Sequence, residues 1–221
     1  MTRIRCELEG QVLVLLGQFN PAIVQPSWLA LQNLVRTAEA ETATVEIISP
    51  HLSVFNVGNI RLVVQTDKFQ LETVAVEDGP TLRDLAVGVF RILEHTPVTA
   101  LGINREMHFR MDSIEEWHKI GDRLVPKEPW NLVMPTPGTK SIVVQNDRRP
   151  SSGSVPDEGV LTLRLEPSTR VSPGVYVNSN LHFAANRARS LEILESRWES
   201  AQGEARGAAE TLIRASLNGV S

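Results

Sequence analysis

None of the short motifs that mark catalytic chemistry is present in this sequence. It has no glycine-rich phosphate loop, no Gly-x-Ser-x-Gly elbow, no His-Glu-x-x-His helix and no calcium loop. An enzyme on this chain would have to assemble its site from distant residues. A single cysteine, Cys6, excludes an intrachain disulfide framework and a four-cysteine zinc site. It is also a poor nucleophile candidate so near the start of the chain, and the expected setting is a reducing, bacterial cytoplasm. Long apolar runs are missing too. The longest early one, Val12 to Leu16, falls far short of the roughly 20 residues of a bilayer crossing, and no three-part secretory signal opens the chain, so no membrane association is expected. Net positive charge is the last absence. With 22 Lys and Arg against 26 Asp and Glu, the formal charge is -4, which argues against non-specific nucleic-acid binding. The basic pairs Arg148 and Arg149, and Arg187 and Arg189, read as solvated surface.

What the sequence does have is ordinary globular composition, 42% hydrophobic and 22% charged over 221 residues. That length suits one large domain or two small ones. Residues 11–17, QVLVLLG, form a short apolar run that predicts a buried strand. After Pro26, the segment SWLALQNLVRTAEAE places Trp28, Leu31, Leu34 and Val35 at helical spacing behind Ser27, predicting one helix. From Ala43 to Val76 the period drops to two, predicting three or four antiparallel strands with one wet face. Thr81 and Asp84 then form a capping-box pattern, opening a helix whose stripe is Leu82, Leu85, Ala86, Val89, Phe90 and Leu93. Pro97 ends that element.

The second half begins with a long strand, 98–111, followed by a short helix capped by Asp112 with Glu115, buried through Ile114, Trp117 and Ile120 and closed by Gly121. The proline-rich stretch 126–138 is irregular, with NLVM as a brief edge. Three strands follow at TKSIVVQN, GVLTLRLEP and GVYVNSNLHFA, the first two separated by the polar loop NDRRPSSGSVPDEG. The last helix spans about 185–217, and its seam of Leu191, Leu194, Trp198, Ala201, Ala205, Ala208 and Leu212 has heptad spacing. It is expected to lie on the protein's own sheet, with self-association as the alternative.

In order, the elements read β-α-β(3-4)-α twice, over residues 1–97 and 98–221, with Trp28 and Trp117 as corresponding anchors in one continuous body. The class is α+β, an antiparallel sheet with helices on one face. This order resembles the topology of the TATA-binding protein and its relatives, in which two such units share one curved sheet. The resemblance implies a large free sheet face, and it does not carry function across.

One residue pattern recurs, INREMHF at 103–109 and VNSNLHF at 177–183. Period two puts Asn104, Glu106 and His108 on one polar face, and likewise Asn178, Asn180 and His182, while Met107, Phe109, Leu181 and Phe183 point to the core. These six polar residues are the candidates for binding a ligand or partner. The expected function is a non-enzymatic binding or assembly module with a protein partner or a second copy of itself, acting through the open face or the last helix. No cofactor and no metal are assigned. The alternatives are an enzyme using His108 and His182, conceivably with a divalent metal and Glu106, and nucleic-acid binding on the sheet.

Overall fold

The computed structural model describes residues 4–146 and 159–218. Arg148, Arg149 and most of the polar loop lie outside the described residues. The period-two runs become nine strands: β1 (Arg5–Gly17), β2 (Thr44–Ile48), β3 (Leu52–Val57), β4 (Ile60–Gln65), β5 (Lys68–Thr73), β6 (Val98–Arg110), β7 (Ile142–Gln145), β8 (Val160–Pro167) and β9 (Gly174–Phe183). They form one antiparallel sheet in the order β2-β3-β4-β5-β1-β6-β9-β8-β7. The two longest strands, β1 and β6, pair at its centre, and each carries the last strand of its own half on its other side. Five helices accompany them: α1 (Pro26–Leu31), α2 (Thr37–Glu41), α3 (Gly79–Ile92), α4 (Ile114–Leu124) and α5 (Arg187–Asn218). The protein is therefore α+β, with its helices on one face of the sheet.

That face is set by alternation. Leu13 and Leu15 of β1, Leu101 and Ile103 of β6, and Leu181 and Phe183 of β9 are buried in a first core with α3 and the N-terminal part of α5. Phe69 meets Phe90 edge-on at 4.9 Å within it. Met107, Phe109, Val175, Val177 and Leu165 form a second core with Ile120 of α4 and Ala209, Ile213 and Leu217 of α5. Trp28 packs against the first and Trp117 against the second. The first core takes residues from both sides of Pro97.

A polar layer divides the two cores. Arg105 lies between Ile103 and Met107 on β6, Ser179 between Val177 and Leu181 on β9, and Gln202 follows Ala201 on α5, and all three are buried. Glu9 of β1 pairs with Arg105 and, at 3.1 Å, with Arg206 of α5. Arg105 also donates to the Gln202 carbonyl at 3.2 Å, tying the middle of α5 to the sheet.

Several boundaries depart from the sequence reading, each for a local reason. β1 starts at Arg5 rather than residue 11, because the charged RCELEG segment pairs with the second half of β6. The first helix is two, α1 and α2, broken where Asn33 takes φ 57, a left-handed conformation that Asn tolerates. Helix α3 opens at Gly79–Pro80, proline being suited to the first turn, so Thr81 is already helical and Asp84 pairs with Arg83 at 2.7 Å. The cap of α4 is Ser113, whose Oγ accepts from the Glu116 amide at 3.2 Å, while Glu116 reaches back to the Asp112 amide. That box lies one residue beyond Asp112 and Glu115, and the helix continues past Gly121 to Leu124. The NLVM edge is a 3-10 turn at Trp130–Leu132. Arg187 is not solvated surface, since it donates to the Phe90 carbonyl at 2.8 Å and joins α5 to α3.

Along α5 the seam holds at Leu194, Trp198, Ala201 and Ala205, then moves to Ala209, Ile213 and Leu217 in place of Ala208 and Leu212. A straight helix drifts off a 3.5-residue repeat, so steps of four take over. Gly203 and Gly207 face outward, and a Cβ at either would meet nothing within 4 Å. Gly203→Ala and Gly207→Ala should each stabilise the protein by about 1 kcal/mol, the helix-propensity difference, read as a rise in urea midpoint at unchanged slope. A loss of stability at either would show that the outer face of α5 is occupied.

Candidate functional site

The uncovered face of the sheet is built by the even-numbered residues of β6, β9 and β8. Register brings the two recurrent segments side by side, with Asn104 opposite Asn180 and Glu106 opposite Asn178, while β8 adds Thr162 beside Asn180 and Arg164 beside Asn178. Five of the six sequence candidates therefore form two adjacent rows and their margin, with His108 in the next row opposite Tyr176. The sixth, His182, pairs with Gly102 and closes the far end. His108 and His182 are thus six residues apart along paired strands, about 20 Å. They cannot share an ion, and among the described residues no group of three His, Cys, Asp or Glu side chains is placed to hold one.

The hydrogen bonding is uneven across the face. Tyr176 donates to Glu106 Oε1 at 3.0 Å, and burial together with that carboxylate pushes the phenol above its usual range. His108 is buried, its ring 4.9 Å from that of Tyr176 and its Nδ1 2.8 Å from Ser168 Oγ. Ser168 also accepts from the Val171 amide at 2.9 Å, so the β8–β9 turn folds back to seal the end of the face. At the other end Gly102 leaves a notch. A Cβ there would stand 3.3 Å from Asn180 Oδ1 and 3.4 Å from Asn104 Nδ2. The buried Asn180 Oδ1 meets no donor among the described residues.

Several charges on this face are paired. Arg61 binds Glu46 and, at 3.3 Å, Glu72, and Arg110 binds Glu7 at 2.5 Å. Arg164 lies 3.9 Å from Glu166. Among the described residues no row of uncompensated cations runs across β6, β9 and β8 of the kind a phosphate backbone needs. Cys6 lies on the opposite face. Burial, then the Glu9 charge, push its thiol up to about 12, so it stays protonated and unreactive at neutral pH.

Burial is the main reason that the His108 pKa lies below the ordinary value of 6.5, helped by the Arg170 charge and opposed by Glu106. The sign of the linkage follows. Above pH 6.5 the ring is neutral folded and unfolded, and as pH falls through 6.5 towards the depressed folded value the unfolded chain takes up the proton first. Stability should therefore fall across that window, and His108→Gln should flatten the slope of Tm against pH between about 7 and 5. An identical slope in the variant would count against a buried neutral His108.

Tyr176 was legible, two residues before Asn178 on the same strand. Ser168 and Arg170 were not, because their approach to His108 depends on the return of a turn. No protein-family model matches the chain, and no curated protein matches it significantly in sequence.

Proposed function

We propose that this chain is a non-enzymatic binding module that receives a protein partner on the uncovered face of β6, β9 and β8. The observation that supports this most is the asymmetry of the sheet: among the described residues every helix lies on one face, and the other presents rows of carboxamide, hydroxyl and charged side chains with no element over them. A surface of balanced charge and many hydrogen-bonding groups suits a polar, near-neutral partner surface with bridging water, the character of a non-obligate interface. The C-terminal helix is a weaker docking element, because its apolar stripe is used within the chain and its outer face is polar. The matching strand order outward from β1 and β6 supports reading the chain as two tandem units sharing this face.

Photo-crosslinking in the native cell tests the reading. A crosslinking side chain at Thr162 or Asn178 should give one discrete adduct, the same from both, and at Ser200 or Gly203 on the outer face of α5 it should give none. Adducts from α5 alone, or from no position, would remove the sheet face from consideration. An adduct of twice the chain's mass would identify the partner as a second copy.

A further inference from the structure

On the helix side, at the far end of the second core, a cavity of 380 Å³ lies between α4, the ends of β7, β8 and β9, and the proline-rich segment that joins α4 to β7. Its apolar wall is formed by Trp117, Ile120, Ile142, Leu165 and Val175, and its rim carries polar groups of His118, Asp122, Lys127 and Asn131. The joining segment arches over it and is tied at its base. Lys127 donates to Thr139 Oγ1, and Thr139 in turn donates to the Gly121 carbonyl of α4 at 3.4 Å. The arch carries apolar side chains that could have filled the space, yet Leu132 is 87% exposed and Val133 72%, with Trp130 and Met134 also outside. The chain keeps an apolar chamber open beneath a pinned arch while its own apolar groups face solvent. Clefts with a largely apolar wall and a few polar groups suit small apolar molecules, and this volume falls at the small end of ligand sites.

We propose that this cavity binds a small, uncharged, largely apolar molecule bearing a flat ring. The charge of the ligand follows from the lining. Lys127 is answered by Asp122 at 3.6 Å, and Glu166 belongs by alternation to the other face, where Ser141 donates to it at 3.1 Å and Arg164 lies 3.9 Å away, so among the described Asp, Glu, Lys and Arg residues at the cavity none is left unpaired to hold an ion. The flat ring follows from Trp117, whose indole gives the wall a planar apolar surface. This site is on the opposite side of the sheet from the proposed partner face and does not depend on it.

The test uses the whole chain and two fluorescent probes of similar shape, neutral N-phenyl-1-naphthylamine and its anionic relative 1-anilinonaphthalene-8-sulfonate. The neutral probe should bind saturably, one per chain, and the anion roughly tenfold or more weaker. Gly138 lines the cavity and has nothing within 4 Å of an added Cβ, so Gly138→Trp should plug the space with the circular dichroism unchanged. That variant, and independently Ile142→Trp, should weaken the neutral probe by roughly tenfold or more, while Gly203→Trp on the outer face of α5 should not. Absence of saturable binding, binding unchanged by both cavity variants, or tighter binding of the anion would overturn the proposal.

Discussion

Glu9→Ala is expected to destabilise the protein by about 3–5 kcal/mol, far more than a surface ion pair would cost. The reason is what the substitution leaves behind. Arg105 is 6% exposed, enclosed between the two cores, and Glu9 is the only carboxylate paired with it among the described residues. Removing that carboxylate strands a guanidinium whose Nε already lacks a partner. Replacing both groups together is a different matter, since apolar residues of similar size can take the place of a buried pair at little cost. Glu9→Leu with Arg105→Met should therefore recover most of the loss, though Arg206 loses a partner too.

The same layer carries a pH dependence. Burial raises the Glu9 pKa, but the hydrogen bond and charge of Arg105 outweigh it and hold the carboxyl below the ordinary 4.5. With the folded value depressed, this contribution is present above about pH 4.5 and is lost as pH falls through the folded pKa. Urea titrations of wild type and Glu9→Ala between pH 7 and 3 should differ most at the top of that range and converge at the bottom. Curves that run parallel throughout would contradict the account of the layer.

Trp198→Ala should cost about 3–5 kcal/mol, the range for a fully buried large aromatic. Trp198 is 1% exposed and sits where α5 crosses the first core, with Leu194 and Ala201 on either side of it in the stripe. For a chain of this size the loss corresponds to a fall in Tm of roughly 6–20 °C. Leu194 cannot expand into the space, so the cavity term adds to the lost burial. Trp198→Phe should recover about half of the loss. Equal effects of Ala and Phe would mean that the indole is not packed as described.

Most of the fold was legible from periodicity. Alternation in NIRLVVQT and FQLET, and the stripe of Leu82, Leu85, Ala86, Val89 and Phe90, each specify a face, and the structure buries that face. Polar candidates were placed on the correct side for the same reason. What periodicity does not contain is register. Nothing in INREMHF and VNSNLHF says that they run antiparallel side by side, so the 20 Å between His108 and His182 emerges only from pairing. Arg105 is a signal of a different kind. A charged residue at a core-facing step between Ile103 and Met107 requires a buried partner, and it predicts the polar layer without any knowledge of Glu9. The cap of α3 falls three residues before Thr81, where Pro80 suits the first turn, and that of α4 one residue after Asp112, where Ser113 takes the role.

The working surface we propose is the uncovered face of β6, β9 and β8. It is tested most directly by measuring the affinity of the crosslinked partner for variants with one bulky charge on each side of the molecule. Asn180→Arg, beside the Gly102 notch, should weaken the complex by roughly tenfold or more, and Gly203→Arg on α5 should leave it unchanged. Full affinity in Asn180→Arg together with loss in Gly203→Arg would place the interface on the helical side and contradict the account.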